Sequence, residues 1–317
     1  MTVKTQISKH DFDPLAYFPF SQFGAVLGFS PILLGMSGAR VYSVSTEAGD
    51  FILRLDRAGA ERAGLVSHQR HAAAHGIAPN IIWYDEIAII STKVNGMSLG
   101  QAVSNPSSRD AAIVSLVNQI AKLHAIHCDG LVEVDLGAKA FKLFAAQSAR
   151  PGFPNWALPL SDRLTRARDE LANDKRFVFS HCDLNPGNMI WDGNKVWLVD
   201  WEQANLSHPY LDLATVGMFL SFSDEEALAL LAVQEKAVIG EEEWRIFLAV
   251  RDLARMSFAS IFFQLIPDLA TVPFATLEAT LTIKECFGRL SRGHLDLGRP
   301  EGRALIGAAC LKPCVKA

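Results

Sequence analysis

The chain has 317 residues, half of them hydrophobic and a fifth charged, with 30 Lys and Arg against 34 Asp and Glu for a net charge of −4. That length suits two lobes, because single cores stop growing at about 250–300 residues, and the apolar content excludes wholesale disorder. The mildly acidic balance argues against a nucleic-acid partner, which needs a basic field, and no apolar run reaches the ~18 residues of a membrane span.

The first twenty residues scatter Lys4, Lys9, Asp11 and Asp13 and carry no apolar stretch of the kind a signal peptide needs. Five cysteines with no Cys-x-x-Cys pair fit a reducing compartment, so a cytoplasmic location is expected. Cys310 and Cys314 lie four apart, but a zinc site there would need two more ligands.

The first ninety or so residues read as β-rich. Val41, Ser43 and Phe51 to Leu55 suggest a hairpin around Gly49-Asp50. An Ala-rich helix is expected from Glu61 to His75, stopped by Gly76. Ile81 to Tyr84 and Ile87 to Thr92 form a second expected hairpin. Beyond Asn95-Gly96 the period turns helical, with Ile113, Leu116, Val117, Ile120, Leu123 and His127 on one face.

Further helices are expected at Ser161 to Ala172, Leu211 to Phe222, Asp224 to Val238, Glu241 to Leu265 and Phe274 to Leu290. Met256 to Pro267, the most apolar stretch, is broken by Gln264 and reads as buried helix rather than membrane span. A β island interrupts this pattern: Phe177 to Phe179, then Met189 to Trp191 and Val196 to Val199 around the turn Asp192-Gly193-Asn194-Lys195. The expected organisation is a β-rich nucleotide-binding lobe, 1–94, and a helical catalytic and substrate-binding lobe, 95–317.

The chemistry concentrates in Ser180-His181-Cys182-Asp183-Leu184-Asn185-Pro186-Gly187-Asn188, followed by Leu198-Val199-Asp200-Trp201-Glu202. An acid, an amide five residues on, and a second acid after a hairpin is the layout that phosphoryl transfer from ATP requires. One carboxylate receives or orients the acceptor hydroxyl, while the amide oxygen and second carboxylate hold Mg²⁺ against the phosphates. The bland alternative is a polar loop beside a surface hairpin. Against it, the phrase matches His-x-Asp-Leu-x-x-x-Asn followed by an Asp at a strand end.

This segment resembles the aminoglycoside phosphotransferase and choline kinase superfamily, whose members are small-molecule kinases with a protein-kinase-like fold. Asp-Trp-Glu at 200–202 resembles the choline, ethanolamine and thiamine kinase branch, Asp212-Leu213-Ala214 the family's helix start, and Leu123-His124 its Leu-His helix motif. Gly35-Met36-Ser37-Gly38-Ala39-Arg40-Val41-Tyr42 resembles the nucleotide loop of aminoglycoside phosphotransferases, and Gly76-Ile77-Ala78-Pro79 the end of the first-lobe helix.

The resemblance implies an α+β two-lobed fold, a small β-rich lobe and a larger helical one. It implies Asp183 as catalytic base, Asn188 and Asp200 as magnesium ligands, His181 and Asp212 as supports, and Glu202 as either a metal or substrate contact or a structural ion pair. Backbone groups at Ser37 and Gly38 would cradle the phosphates of ATP, Arg54 would pair with them, and Thr92 to Val94 would meet the adenine. Arg54 stands where the family's phosphate-pairing base belongs. Its helix partner would be Glu61, or the pair is missing.

Two other readings follow from residues. His124, His127 and His181 suggest a metal hydrolase, without any His-Glu-x-x-His motif to support it. The uncertain helix glutamate suggests a non-catalytic nucleotide-binding protein. No Gly-x₄-Gly-Lys-Ser/Thr loop exists, which excludes a P-loop enzyme. The expected acceptor is a small-molecule alcohol, an amino alcohol such as choline or ethanolamine, or thiamine, with an aminoglycoside as the alternative. If cationic, it would meet carboxylates and aromatic faces, for which Trp201, Glu202, Trp244, Phe262, Phe263 and Asp268 are candidates, although aromatics at helical spacing are more often core.

Overall fold

The computed structural model describes residues 13–32, 39–56, 63–274 and 281–316. The chain divides into two compact units, Met1–Gly96 and Met97–Ala317, each with its own apolar core.

In the first unit, a 3₁₀ turn Pro14–Tyr17 and a short helix α1 (Phe20–Phe23) lead into strands β1 (Val26–Ile32), β2 (Arg40–Thr46) and β3 (Gly49–Leu55). Helix α2 (Ala63–Ala74) follows, then β4 (Ile81–Tyr84) and β5 (Ala88–Thr92). The sheet order is β1-β2-β3-β5-β4, antiparallel throughout. In β3 the two-residue period sends Phe51, Leu53 and Leu55 into a core with Phe18, Phe23, Val44 and Ile90. Ile52 and Arg54 therefore occupy the other face.

The β2–β3 turn falls two residues before the glycine that marked it in the sequence. Its tip is Glu47-Ala48, and Gly49 already pairs with Thr46. The Thr46 hydroxyl accepts from the Ala48 N–H at 3.1 Å and donates to the Gly49 carbonyl at 3.2 Å, closing the turn in place of an Asn-Gly pair.

The second unit is mainly helical. It runs β6 (Met97–Ser98), α3 (Leu99–Ser104), α4 (Arg109–His124), α5 (Leu136–Ser148), α6 (Leu160–Glu170), β7 (Val178–Ser180), β8 (Met189–Trp191), β9 (Val196–Leu198) and β10 (Asn205–Ser207). Helices α7 (Leu211–Leu220), α8 (Asp224–Glu235), α9 (Glu241–Gln264), α10 (Ile283–Ser291) and α11 (Pro300–Lys316) complete it. Helix α9 is the pillar: Phe247, Val250, Leu253, Phe262 and Phe263 are buried where α5, α6, α7 and α11 pack on it. Every residue of α7 is buried, consistent with a sequence whose one charge is Asp212.

Several local expectations change. Helix α4 stops at His124, so His127 leaves the apolar face; it is exposed and lies 3.2 Å from Asp129. Helices α5 and α11 were not anticipated. The first is legible afterwards: Asp135 caps it through the Ala138 N–H at 2.8 Å, and Leu136, Ala140 and Phe144 repeat every fourth residue into the core. Within the span 274–290 a helix restarts at Ile283, because Thr282 and Glu285 form a reciprocal capping box; 275–280 lie outside the described residues.

The described cysteines are all free, and Cys286, Cys310 and Cys314 are buried core residues. Burial pushes the Cys314 thiol up to about 12. Among the described residues no group of three or more His, Cys, Asp and Glu is placed to hold a metal. No helix among the described residues is long and apolar enough to cross a membrane.

Candidate active site

The loop between β7 and β8 carries the acid-amide phrase, and its geometry follows from one buried carboxylate. Asp212, at the start of α7, has no solvent exposure. Its Oδ2 accepts from the His181 backbone N–H at 3.1 Å and its Oδ1 from the Cys182 N–H at 3.0 Å, while His124 Nε2 from α4 lies 3.0 Å from Oδ2. Burial alone would raise this carboxyl, but the His124 and backbone hydrogen bonds outweigh it and hold it below the ordinary carboxylate range. One aspartate thus ties the loop to two helices.

His181 fills the space behind the loop. Its Nε2 donates to the Val199 carbonyl at 3.0 Å, its ring lies 4.7 Å from the Trp201 ring, and burial pushes its pKa down, so it is a neutral packing group. Cys182 then takes a left-handed conformation with φ 63°, which turns the chain sharply before Asp183. Burial pushes its thiol up to about 12, far from any thiolate role.

Asp183 is held by the two amides that follow it. Asn185 Nδ2 donates to Oδ1 at 3.2 Å, and Asn188 Nδ2 donates to Oδ2 at 3.0 Å and to the Asp183 carbonyl at 2.8 Å. Asn185 also accepts from the Gly187 N–H at 2.9 Å, which sets the Pro186–Asn188 turn. The role of Asn185 was not read from the sequence, although an Asn before Pro-Gly is a recognisable side-chain-closed turn. Burial raises the Asp183 pKa to about 7; the amide hydrogen bonds oppose this and the charges of Asp200 and Glu202 add to it.

The β8–β9 hairpin returns the chain beside this loop. Its ladder continues as Val199 N–H to Asn188 carbonyl at 3.0 Å, and Asp200 follows at once in the left-handed region with φ 66°. Asp tolerates this conformation better than most residues, and such strain concentrates at functional positions. Asn188 spends both amide hydrogens on Asp183, so its Oδ1 remains an acceptor without a donor among the described residues. An amide oxygen and a half-buried carboxylate suit a hard cation that retains waters and phosphate ligands. Glu202 is exposed beside them.

Most of the aromatic candidates for an acceptor pocket are structural. Trp201 is fully buried against His181 and Phe179, and Phe262 and Phe263 are core. Trp244 stacks on Phe247 at 5.3 Å, and Asp268 caps a 3₁₀ turn through the Ala270 N–H.

In the first unit, Arg54 is a partly buried strand residue whose Nε lies 2.8 Å from Asp56 Oδ1. With 14% side-chain exposure it is not a solvated charge. Thr92 is the last residue of β5, its N–H bonded to the Asn80 carbonyl at 3.0 Å. Val94 lies beyond the ladder, and its backbone makes no hydrogen bond among the described residues. Ser37, Gly38 and Glu61 lie outside the described residues.

The fold has solved counterparts. A choline/ethanolamine kinase family protein from Mesorhizobium loti is similar with a TM-score of 0.66 at 19% identity, over 93% of this chain and 97% of that one. Choline kinase LicA from Streptococcus pneumoniae gives 0.59 at 15%, over 92% and 96%. An aminoglycoside phosphotransferase from Streptomyces rimosus, in complex with ADP and streptomycin, gives 0.51 at 18%, over 77% and 99%. These identities establish a shared fold, a protein-kinase-like α+β architecture. No curated protein matches the sequence. The model of the phosphotransferase enzyme family matches residues 29–247, from β1 through the Asp183 loop into α9. Because that match spans well over half of the chain, the protein belongs to the phosphotransferase enzyme family and is a small-molecule phosphotransferase.

Proposed function

We propose that this chain transfers the γ-phosphoryl group of ATP to a hydroxyl of a small molecule, with an amino alcohol such as choline or ethanolamine, or thiamine, as the acceptor class. The observation that carries the reading is the Asp183 carboxylate, fixed on both oxygens by amides of its own loop. A base held this way needs no reorganisation to meet an acceptor hydroxyl. The hydroxyl oxygen bonds to the γ-phosphorus, the bond to the β–γ bridging oxygen breaks, ADP leaves, and the hydroxyl proton passes to Asp183. Asn188 Oδ1 and the Asp200 carboxylate would hold magnesium, which neutralises phosphate charge when bound. Backbone groups at Ser37 and Gly38, Arg54, and the backbone from Thr92 to Val94 are assigned to the nucleotide, and Glu202 to metal or acceptor.

The acceptor class is favoured by coverage. The choline/ethanolamine kinase family protein is matched over 93% of this chain, the aminoglycoside enzyme over 77%. Aminoglycosides are the competing acceptors. The test is ADP release from Mg·ATP with choline, ethanolamine, thiamine and several aminoglycosides added singly, with Asp183→Ala beside the wild type. Stimulation by an amino alcohol or thiamine that vanishes in the variant supports the reading. Stimulation by aminoglycosides alone replaces the acceptor. ATP binding without ADP release under any acceptor would mean a non-catalytic nucleotide-binding protein.

A further inference from the structure

A cleft of about 630 Å³ opens within the helical unit, lined by Lys175, Arg176 and Lys236 against the single acid Glu235. Such a surplus of cations is local, since the whole chain is net acidic. Arg176 is held in place: it forks onto Asp174 at 3.0 and 2.6 Å, and its guanidinium lies 4.8 Å from the Tyr210 ring centroid. Asp174 offsets its charge, so Lys175 and Lys236, both exposed and without an ion pair among the described residues, supply the net positive field.

Phe177 and Val178 add half-buried apolar wall to the same cleft. Gln234, another lining residue and 9% exposed, gives its amide N–H to the Pro209 carbonyl at 3.0 Å and leaves its Oε1 without a donor among the described residues. That oxygen is buried and can only accept, so it offers no donor to an anion, and the cations are what the cleft presents. The volume is that of a small-molecule site, and cations beside apolar wall select an anion with a carbon framework. Lysines bind phosphate as point charges, and a phosphotransferase meets phosphate esters on both sides of its reaction.

The cleft is also wired to the Asp183 loop. His124 lines it, and His124 Nε2 bonds the Asp212 carboxylate that anchors the His181 and Cys182 N–H groups. We propose that this cleft binds a small organic phosphate, and that its occupancy is transmitted to the Asp183 loop through His124 and Asp212. The proposal is independent of which acceptor the enzyme phosphorylates.

The probes are phenyl phosphate and inorganic phosphate, titrated calorimetrically into the full chain. Lys175→Glu/Lys236→Glu and the milder Lys175→Gln/Lys236→Gln remove the cations, and Lys142→Glu, an exposed change on α5, serves as the control. Phenyl phosphate is expected to bind more tightly than inorganic phosphate and to weaken by about tenfold or more in both double variants, with the control unchanged. Amide hydrogen exchange at His181 and Cys182 is expected to slow on phenyl phosphate addition in the wild type only. Absence of binding, or binding that survives both double variants because the anion sits elsewhere, overturns the site. Binding that leaves the His181 and Cys182 amides unchanged overturns the transmission.

Discussion

At the scale of single residues, the loop is organised by carboxylates whose surroundings differ. Asp183 faces two amide donors and the charges of Asp200 and Glu202, whereas Asp212 is fully enclosed by donors. Asp183→Asn preserves size but cannot take a proton, so turnover should drop by about 10²–10⁴-fold while nucleotide affinity holds. Steady-state ADP release together with an ATP thermal-shift titration checks this, and near-wild-type turnover would remove Asp183 from the chemistry. Asp212→Asn turns an amide N–H₂ toward at least one existing donor. It should cost about 1–3 kcal/mol of stability in urea unfolding and lower turnover as the loop loosens. An unchanged urea midpoint would show that the three donors find other partners. The spacing from Asp183 to Asn188 to Asp200 was legible in the sequence because it is local. The involvement of His124 with Asp212 was only hinted at by Leu123-His124, since the two residues are 88 positions apart.

At the scale of elements, several helix starts were legible from their caps and charges, although α5, capped by Asp135, was not anticipated. Helix α8 starts where Ser223 and Glu226 form a capping box, and α9 begins in a run of three glutamates at the positive end of its dipole. Helix α11 carries a proline, Pro313, and lacks a strong stripe, so its identity depends on packing against α9. Helix α7 ends on Ser221, an exposed residue with φ 57° whose N–H bonds the Gly217 carbonyl. A left-handed non-glycine residue costs about 1–2 kcal/mol, and glycine returns about 0.4–1 kcal/mol of that as unfolded-state entropy. Ser221→Gly should therefore stabilise the protein by roughly 0.5–1 kcal/mol. A raised urea midpoint at constant slope is the expected outcome; a lowered midpoint would mean the serine side chain contributes more than its backbone costs.

At the scale of the whole molecule, stability should depend on pH through two buried histidines, His181 and His208, and the ion-paired Asp174. His208 Nδ1 accepts from the Tyr210 N–H at 3.1 Å and its Nε2 lies 3.1 Å from Asp174 Oδ2. Burial pushes its pKa below the ordinary 6.5, with Asp174 only partly opposing, and protonating Nδ1 would break the Tyr210 bond. A histidine with a depressed folded pKa contributes stability above the unfolded value of 6.5 that is lost as pH falls through and below it. His181, buried and shifted the same way, adds to this slope. Burial would raise Asp174, but hydrogen bonds from Arg176 and His208 outweigh it and hold it well below the carboxylate range. Its contribution is lost only under more acidic conditions, below the ordinary 3.8. Asp183, its pKa raised to about 7, acts with the opposite sign in this window, so the measurement is made in an Asp183→Asn background: urea midpoints from pH 8 to 5 should then fall with acidification, and His208→Gln should flatten that fall. A midpoint independent of pH over this range would contradict the burial assigned to both histidines.

What the sequence determined by itself is what is written within about a dozen neighbouring residues. The Asp183 to Asn188 turn, the Asp192-Gly193 hairpin, the helix caps and the change from a two-residue to a 3.6-residue period are all set by backbone preferences and turn chemistry acting locally. Tertiary structure alone decided which side chains became walls and which became tools. Trp201 and Phe263 read as candidate acceptor contacts and are buried packing, whereas Lys175 and Lys236 carried no signal in the sequence and line one cleft. The reason is physical: burial and convergence depend on partners brought from distant parts of the chain by packing, and no local pattern records which partner arrives.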